Sequence, residues 1–311
     1  LRIKVLARRY SSPIETLVDQ SRHISQGNLE EPEEIETDVL EVKELAQAHS
    51  HMRSGLRSLM KLERDLQLAR QIQQKSMPHH LPQVEGFDLA AWNAPADQTG
   101  GDTFDVVGLN CDEKCGIDFT TDTAQKAILL LADATGHGMG PALSVTQLRA
   151  MLRMGCHITP EITGWARHIN EQLHDDLPAG RFITAFLGEV DSREKTLTYF
   201  SAGQGPLLYF EKNKNKVTSL PADTYPLGIM EEMEIGVNRI PLLPGDIFAV
   251  ISDGIYEAAN PAREQMGEDR VRKLILDSQD LPAEEILDRI HSATERFTEG
   301  EPPRDDRTIL I

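Results

Sequence analysis

Apolar residues recur at helical spacing through the first quarter of the chain and in short, strand-like runs after it. Ile14, Leu17, Val18 and Ile24 share one face of a helix that Pro13 opens and Gly27 closes. A polar, acidic connector follows over residues 28–37. The next segment, from about 38 to 76, contains no proline and predicts one long helix. Along it Val42, Leu45, Met52, Leu56 and Leu59 keep a heptad rhythm. Leu62, Leu66 and Ala69 restart that rhythm three residues late, as in a stammer. A narrow apolar stripe on so polar a helix has nothing of its own to pack against, so it predicts pairing with a second copy as a coiled coil.

Met77-Pro78 and Leu81-Pro82 end the helical regime. From Gly86 onward, residues 128–132, 182–190, 196–201, 207–210 and 247–251 read as strands. Residues 142–154, 162–173, 271–276 and 283–297 read as helices. Strand runs come first and last with helices between them, which is the order of an α+β sandwich rather than a regular βαβ repeat. Residues 112–125 are polar and are expected to form a surface insertion.

Composition narrows the function. The chain has 311 residues, 40% of them hydrophobic, enough for a sizeable core beside a helical module. Its formal charge of −18, from 50 acids and 32 bases, argues against nucleic acid as a partner. Such a surface also repels phosphorylated substrates unless cations reverse the sign locally. The three cysteines do not make a disulfide framework. Cys111 and Cys115 have the spacing of half a zinc site, but no second pair completes it, and reduced thiols in a loop are the simpler reading. No stretch approaches the ~20 apolar residues of a membrane helix. The chain starts at Leu1, and Arg2, Lys4, Arg8 and Arg9 come without a nearby acid, as on the cytoplasmic flank of a membrane span. The expectation is a cytoplasmic fragment of an inner-membrane-anchored protein.

Four acidic motifs carry the chemistry: Gly100-Gly101-Asp102, Asp133-Ala134-Thr135-Gly136-His137-Gly138, Ser252-Asp253-Gly254 and Asp305-Asp306-Arg307-Thr308. Leu129-Leu130-Leu131-Ala132-Asp133 and Phe248-Ala249-Val250-Ile251-Ser252-Asp253 are apolar runs that end in an acid, which places a carboxylate at a sheet rim. Carboxylates brought together from distant strands repel one another unless a cation lies between them. An all-oxygen set suits Mg²⁺ or Mn²⁺ rather than zinc. Two such ions activate a water and clamp a phosphoryl group, so the protein needs no nucleophile of its own.

These motifs resemble the SpoIIE/RsbU branch of the metal-dependent (PPM) serine/threonine protein phosphatases. The resemblance runs in order from Leu66-Gln67-Leu68-Ala69-Arg70-Gln71-Ile72-Gln73 through Met77-Pro78, Gly100-Gly101-Asp102-Thr103-Phe104-Asp105 and Asp133 to Gly138. It continues through Phe182-Ile183-Thr184, Ser201-Ala202-Gly203, Pro226-Leu227-Gly228, Pro244-Gly245-Asp246 and Ser252-Asp253-Gly254-Ile255-Tyr256-Glu257-Ala258, and ends at Asp305 to Thr308. It implies an α-β-β-α sandwich over residues 79–311 holding two Mn²⁺ or Mg²⁺ ions. The implied ligands are Asp102, Asp133, the backbone carbonyl of Ala134, Asp253 and Asp305, with Asp306 a neighbour and Asp105 a structural acid. The implied substrate is a phosphorylated protein, with a small STAS-type anti-sigma-factor antagonist as the candidate. Pro13, Gly27-Asn28-Leu29-Glu30 and the helix from Val42 to Met52 resemble a HAMP signal-relay module over residues 1–56, joined by a linker helix over 57–78 and expected to dimerise.

Three positions depart from the family pattern. Thr103 stands where Phe or a similar residue is usual, and Gln204 where a His is usual; both are expected to alter the substrate mouth. Arg307 stands where an apolar residue is usual. His137 is weighed as a general acid, though its spacing from Asp133 differs from the Asp-Gly-His motif of type 2C phosphatases. No phosphate-clamping Arg stands out. A catalytically silent relay that signals by binding a partner is the alternative function. A nucleotide cyclase, which Gly100-Gly101-Asp102 also brings to mind, leaves the later acids unexplained.

Overall fold

The computed structural model describes residues 7–30, 35, 37–112, 116–120, 122–136, 138–158 and 161–311, with backbone alone at 7–8, 111–112 and 116–118. Arg2, Lys4, the Arg8 side chain, connector residues 31–34 and 36, the Cys111 side chain, Cys115 and His137 therefore lie outside the described residues. The chain divides into two compact units, Leu1–Leu68 and Ala69–Ile311.

In the first unit a π-helical turn (Ala7–Ser11) leads into α1 (Ser12–Ser25), with Pro13 in its first turn. Gly27, at φ +82°, follows its end. The next helix, α2 (Leu40–Ser76), continues without a break past Leu68. Leu17, Val39 and Val42 are buried. Polar contacts add to this packing: His49 Nε2 lies 2.9 Å from Ser21 Oγ, and Arg53 donates to the Glu30 carbonyl and to Gln20 Oε1. Leu45, Met52, Leu56, Leu59 and Leu62 remain exposed, so most of the heptad stripe has no cover within its own chain. No helix among the described residues is long and apolar enough to cross a membrane.

The second unit is a four-layer α-β-β-α sandwich, the expected architecture. Its strands in chain order are β1 (Gln83–Val84), β2 (Ala91–Ala94), β3 (Asp102–Asp112), β4 (Gly116–Thr120), β5 (Thr123–Ala124), β6 (Lys126–Ala134), β7 (Ile183–Asp191), β8 (Thr196–Ala202), β9 (Leu207–Glu211), β10 (Lys216–Leu220), β11 (Asn238–Pro241), β12 (Ile247–Ile251) and β13 (Arg307–Leu310). The helices are α3 (Met139–Ile158), α4 (Ile162–Asp176), the single turn α5 (Asp253–Tyr256), α6 (Gly267–Asp277) and α7 (Ala283–Thr298). One sheet has the order β11-β8-β7-β6-β3-β4 and the other β10-β9-β12-β13-β2.

Strand alternation sorts the core. On β6, Leu129 and Leu131 face the second sheet, while Ile128, Leu130 and Ala132 pack with Val145, Leu148, Trp165 and Ile169 of α3 and α4. On β12, Val250 faces between the sheets, and Ala249 and Ile251 pack with Val271, Ile286 and Ile290 of α6 and α7. Both strands are thus covered on both faces, which is why they read as continuous apolar runs.

The expected insertion over 112–125 needs correction. Its residues 116–120 form β4, which pairs antiparallel with the far end of β3, and Phe119 packs against the helix-side core. An edge strand needs apolar residues on one face only and is otherwise held by backbone bonds, so its polar composition reads as loop.

Candidate metal centre

Antiparallel register sets the first pair of acids. Asp102 opens β3 directly opposite Asp133 near the end of β6, and the flanking pairs (Thr103 with Ala132, Phe104 with Leu131) lock that alignment. The second sheet delivers the other pair. Chain from β12 passes through Ser252 into α5, which starts at Asp253, while Asp305 and Asp306 immediately precede β13. A backbone bond from Ser252 N to the Thr308 carbonyl (3.0 Å) holds these two junctions together. Thr308 then links the sheets: its Oγ1 donates to Asp102 Oδ2 at 2.6 Å and accepts from Asn93 Nδ2 at 2.8 Å. The four acids expected as ligands are therefore brought to one end of the sandwich.

Asp306 has a different task. Its carboxylate accepts from the backbone N–H groups of Ala96, Gly101 and Asp102, so it fixes the loop that presents Asp102. Two glycines make room. A Cβ on Gly101 would lie 2.8 Å from the Ala134 carbonyl oxygen, the backbone atom expected as a ligand. A Cβ on Gly254 would lie 1.9 Å from the Asp306 carbonyl oxygen, closer than any real contact.

Burial and mutual repulsion set the charges. The Asp133 carboxyl is pushed up to about 9, first by desolvation, then by Asp102, Asp253, Asp305 and Asp306. Asp102 is pushed up to about 7 by burial, against the hydrogen bond from Thr308 and with the repulsion of Asp306 and Asp253. Desolvation, then Asp305 and Glu257, also raise Asp253. Among the described residues no three His, Cys, Asp or Glu side chains close on a common point as a ready cage. The acids are coupled through their charges instead. An all-oxygen set in which each carboxylate disfavours its neighbour's ionised form fits a hard divalent cation, which favours all the ionised forms at once.

Other expected residues fall elsewhere. Thr103 and Gln204 are both buried, so neither side chain lies on the surface. Gln204 accepts from Thr184 Oγ1 on β7 and donates to the Ile251 carbonyl at the end of β12, tying the strand beside Asp133 to the one that leads to Asp253. Arg307 is buried because its guanidinium pairs with Glu295 of α7. Asp105 lies inside, paired with Arg149 and Arg153 of α3. Sequence reasoning misses Asn93, Ser252 and Arg181. Ser252 Oγ accepts from Thr308 N (2.8 Å), and Arg181 Nη1 donates to the Thr135 carbonyl in the turn after Asp133. Only Ser252 carried a signal, as the residue before a strand-end Asp.

The sequence pattern of the family described as Stage II sporulation protein E (SpoIIE) matches residues 123–311, and that of the HAMP domain matches residues 5–58. The chain belongs to the SpoIIE family of PP2C-type serine phosphatases. The phosphoserine phosphatase RsbU of Bacillus subtilis is 24% identical over 269 residues, which cover 85% of this chain and 73% of RsbU. The SiaA PP2C domain of Pseudomonas aeruginosa superposes with a TM-score of 0.66 at 20% identity, over 81% of this chain and 97% of that domain. A crystal structure of RsbX in complex with magnesium superposes with a TM-score of 0.51 at 13% identity, over 71% of this chain and 92% of RsbX. These solved structures share the fold at identities too low to carry over side-chain roles.

Proposed function

We propose that the Ala69–Ile311 unit is a Mn²⁺- or Mg²⁺-dependent protein phosphatase that hydrolyses phosphoserine or phosphothreonine in a bacterial signalling partner. Asp102, Asp133, Asp253, Asp305 and the Ala134 carbonyl would hold two ions. The observation that carries this reading is the pairing of Asp102 with Asp133 across the β3–β6 ladder, reached by the charges of Asp253 and Asp305 from the second sheet. Ions bound there would lower the pKa of water and offset phosphate charge. The chain's own residues do the positioning. Thr308 donates to Asp102 and so favours its ionised form, and Asp306 holds the Gly101–Asp102 backbone in place. The names of RsbU and RsbP, both phosphoserine phosphatases, support the reaction class, and the magnesium complex of RsbX supports the metal class. By the same resemblance, the substrate is a phosphorylated STAS-type anti-sigma-factor antagonist.

The test is hydrolysis of a phosphoserine peptide with Mn²⁺ and with EDTA. Turnover is expected only with metal, and Asp253→Asn is expected to lower it by about a hundredfold or more. Absence of both turnover and Mn²⁺ binding would favour the silent relay.

The regulatory part of the reading divides the chain into a HAMP module (1–56), a linker helix (57–78) and the phosphatase (79–311), dimeric through module and linker. The exposed stripe on α2 supports the dimer. The end of α2 supports the coupling. Gln73 is buried there, donates from Nε2 to the Gly100 carbonyl at 2.7 Å and accepts from Gly100 N at 3.2 Å. A rotation of the helix end would be felt two residues before Asp102. Inserting a heptad after Leu62 is expected to preserve activity, whereas inserting three residues, which turns the stripe, is expected to change it by about fivefold or more. Equal activity in the two insertions would sink the coupling.

A further inference from the structure

A polar cavity of about 590 Å³ opens between Gly254 and Asp305 on one side and the segments around Asn260 and Pro302 on the other. It adjoins the acid cluster, with which it shares Asp305. Three arginines, Arg263, Arg304 and Arg307, line it beside the acids Glu257, Glu301 and Asp305.

The three guanidiniums are held differently. Arg307 is 4% exposed and forms part of the wall; one terminal nitrogen pairs with Glu295, and its Nε has no hydrogen-bond partner. A buried guanidinium with an unmet donor is a costly arrangement unless something supplies the acceptor. Arg263 stands at φ +64° in a tight turn. Its N–H donates to the Asn260 carbonyl, and Asn260 Oδ1 accepts from Glu264 N. A non-glycine residue kept in that region is over-determined by its turn, so the side chain leaves the backbone in a fixed direction. Arg263 and Arg304 are exposed and make no ion pair among the described residues. Glu257 and Glu301 also line the cavity and repel an anion that binds away from the arginines.

We infer that this cavity is a substrate subsite that takes the carboxylate side chain of an Asp or Glu close in sequence to the phosphorylated serine. The inference rests on the phosphatase reading above. The chemistry follows from the donors: guanidinium forks match carboxylates two bonds at a time. The place follows from Asp305, which belongs both to the cavity wall and to the acid cluster. A peptide whose phosphate reaches the acid cluster therefore carries its neighbouring residues across the arginines. Arg263 and Arg304 are the specificity-determining residues.

The experiment uses the full chain with Mn²⁺ and two phosphoserine peptides identical except for Glu or Gln at the flanking positions. The readout is the ratio of their kcat/KM values, in which any loss common to both cancels. Wild-type protein is expected to prefer the Glu peptide by about fivefold, through KM, with the preference shrinking at high salt. The Arg263→Ala/Arg304→Ala double variant is expected to bring the ratio close to one, and Arg263→Lys/Arg304→Lys to restore part of it. A wild-type ratio near one, or a preference that survives the double alanine variant, overturns the inference. If neither peptide is hydrolysed, turnover cannot report on the subsite, and the phosphatase reading is decided separately by Mn²⁺ binding. The subsite is then judged by fluorescence anisotropy of the same peptides with the Mn²⁺-loaded protein, where equal affinities overturn it.

Discussion

Replacing Asp133 by Asn is expected to do two opposite things at once. It should remove metal-dependent hydrolysis, by about a thousandfold or more, and it should make the metal-free protein more heat-stable at pH 8. Both effects have one cause. Asp133 lies opposite Asp102, within reach of the charges of Asp253, Asp305 and Asp306, and its carboxyl is pushed from the ordinary 3.8 up to about 9. Between those two values the folded state holds a proton that the unfolded chain has released. Folding stability of the metal-free protein therefore falls as the pH rises through that window. Asn cannot ionise, so the variant escapes this slope, and its melting temperature at pH 8 should exceed that of the wild type by about 3 °C or more. Mn²⁺ should raise the wild-type melting temperature and flatten its pH dependence, because a ligand that binds only the folded state stabilises it. The variant should respond to Mn²⁺ far less. Thermal melts from pH 5 to 9, with EDTA or Mn²⁺, decide the matter. A wild-type melting temperature indifferent to both pH and Mn²⁺ would remove the physical basis of the proposed centre.

Much of that centre is legible before any coordinates. The runs into Asp133 and Asp253 are apolar on both faces because both strands are sandwiched between a helix layer and another sheet. A fully buried strand that stops at an acid reads the same whichever sheet it joins. What the linear pattern does not contain is register, and Asp102 meets Asp133 only because β3 and β6 pair as they do. Eight strands, β1 to β5, β10, β11 and β13, do not show in the linear pattern, and for several of them the reason is related. β4, β10 and β11 stand at the ends of their sheets, where one face and a backbone ladder suffice. β13 is interior, yet it opens with Arg307-Thr308, polar in sequence and buried in fact. Each of the two finds a partner far off in the chain or on another element, Glu295 for one terminal nitrogen of Arg307 and Asp102 for the Thr308 hydroxyl. Gln204 is the same lesson in reverse. A substitution at a family His position suggests a change at the surface, but the amide is buried and both of its ends are used. Satisfaction of a buried polar group is a property of its neighbours in space.

The buried acid that β3 carries three residues beyond Asp102 leads to the other large effect. Replacing Asp105 by Ala is expected to destabilise the Ala69–Ile311 unit by about 3–5 kcal/mol. Asp105 is fully buried and receives two bonds from Arg153, Nε to Oδ2 at 2.7 Å and Nη2 to Oδ1 at 2.8 Å. Arg149 Nε lies 3.0 Å from the same Oδ2, and Val106 N donates to Oδ1. One carboxylate thus anchors two arginines of α3, the helix that follows the Asp133 turn, to the strand that begins at Asp102. Removing it leaves two cations without a counter-charge. Arg149 is the more exposed to that loss, since burial already pushes its pKa down and Asp105 is the group that pulls it back up. Asn at 105 keeps the shape and loses the charge, so it should be almost as harmful as Ala. Met at 149 and 153 should recover much of the loss in the Asp105→Ala background, because an apolar set replaces a broken ionic one. Urea denaturation of the single and triple variants measures both quantities. A single variant within about 1 kcal/mol of wild type would show that the cluster contributes little. A triple variant no better than the single one would show that packing around Asp105, rather than stranded charge, sets the cost.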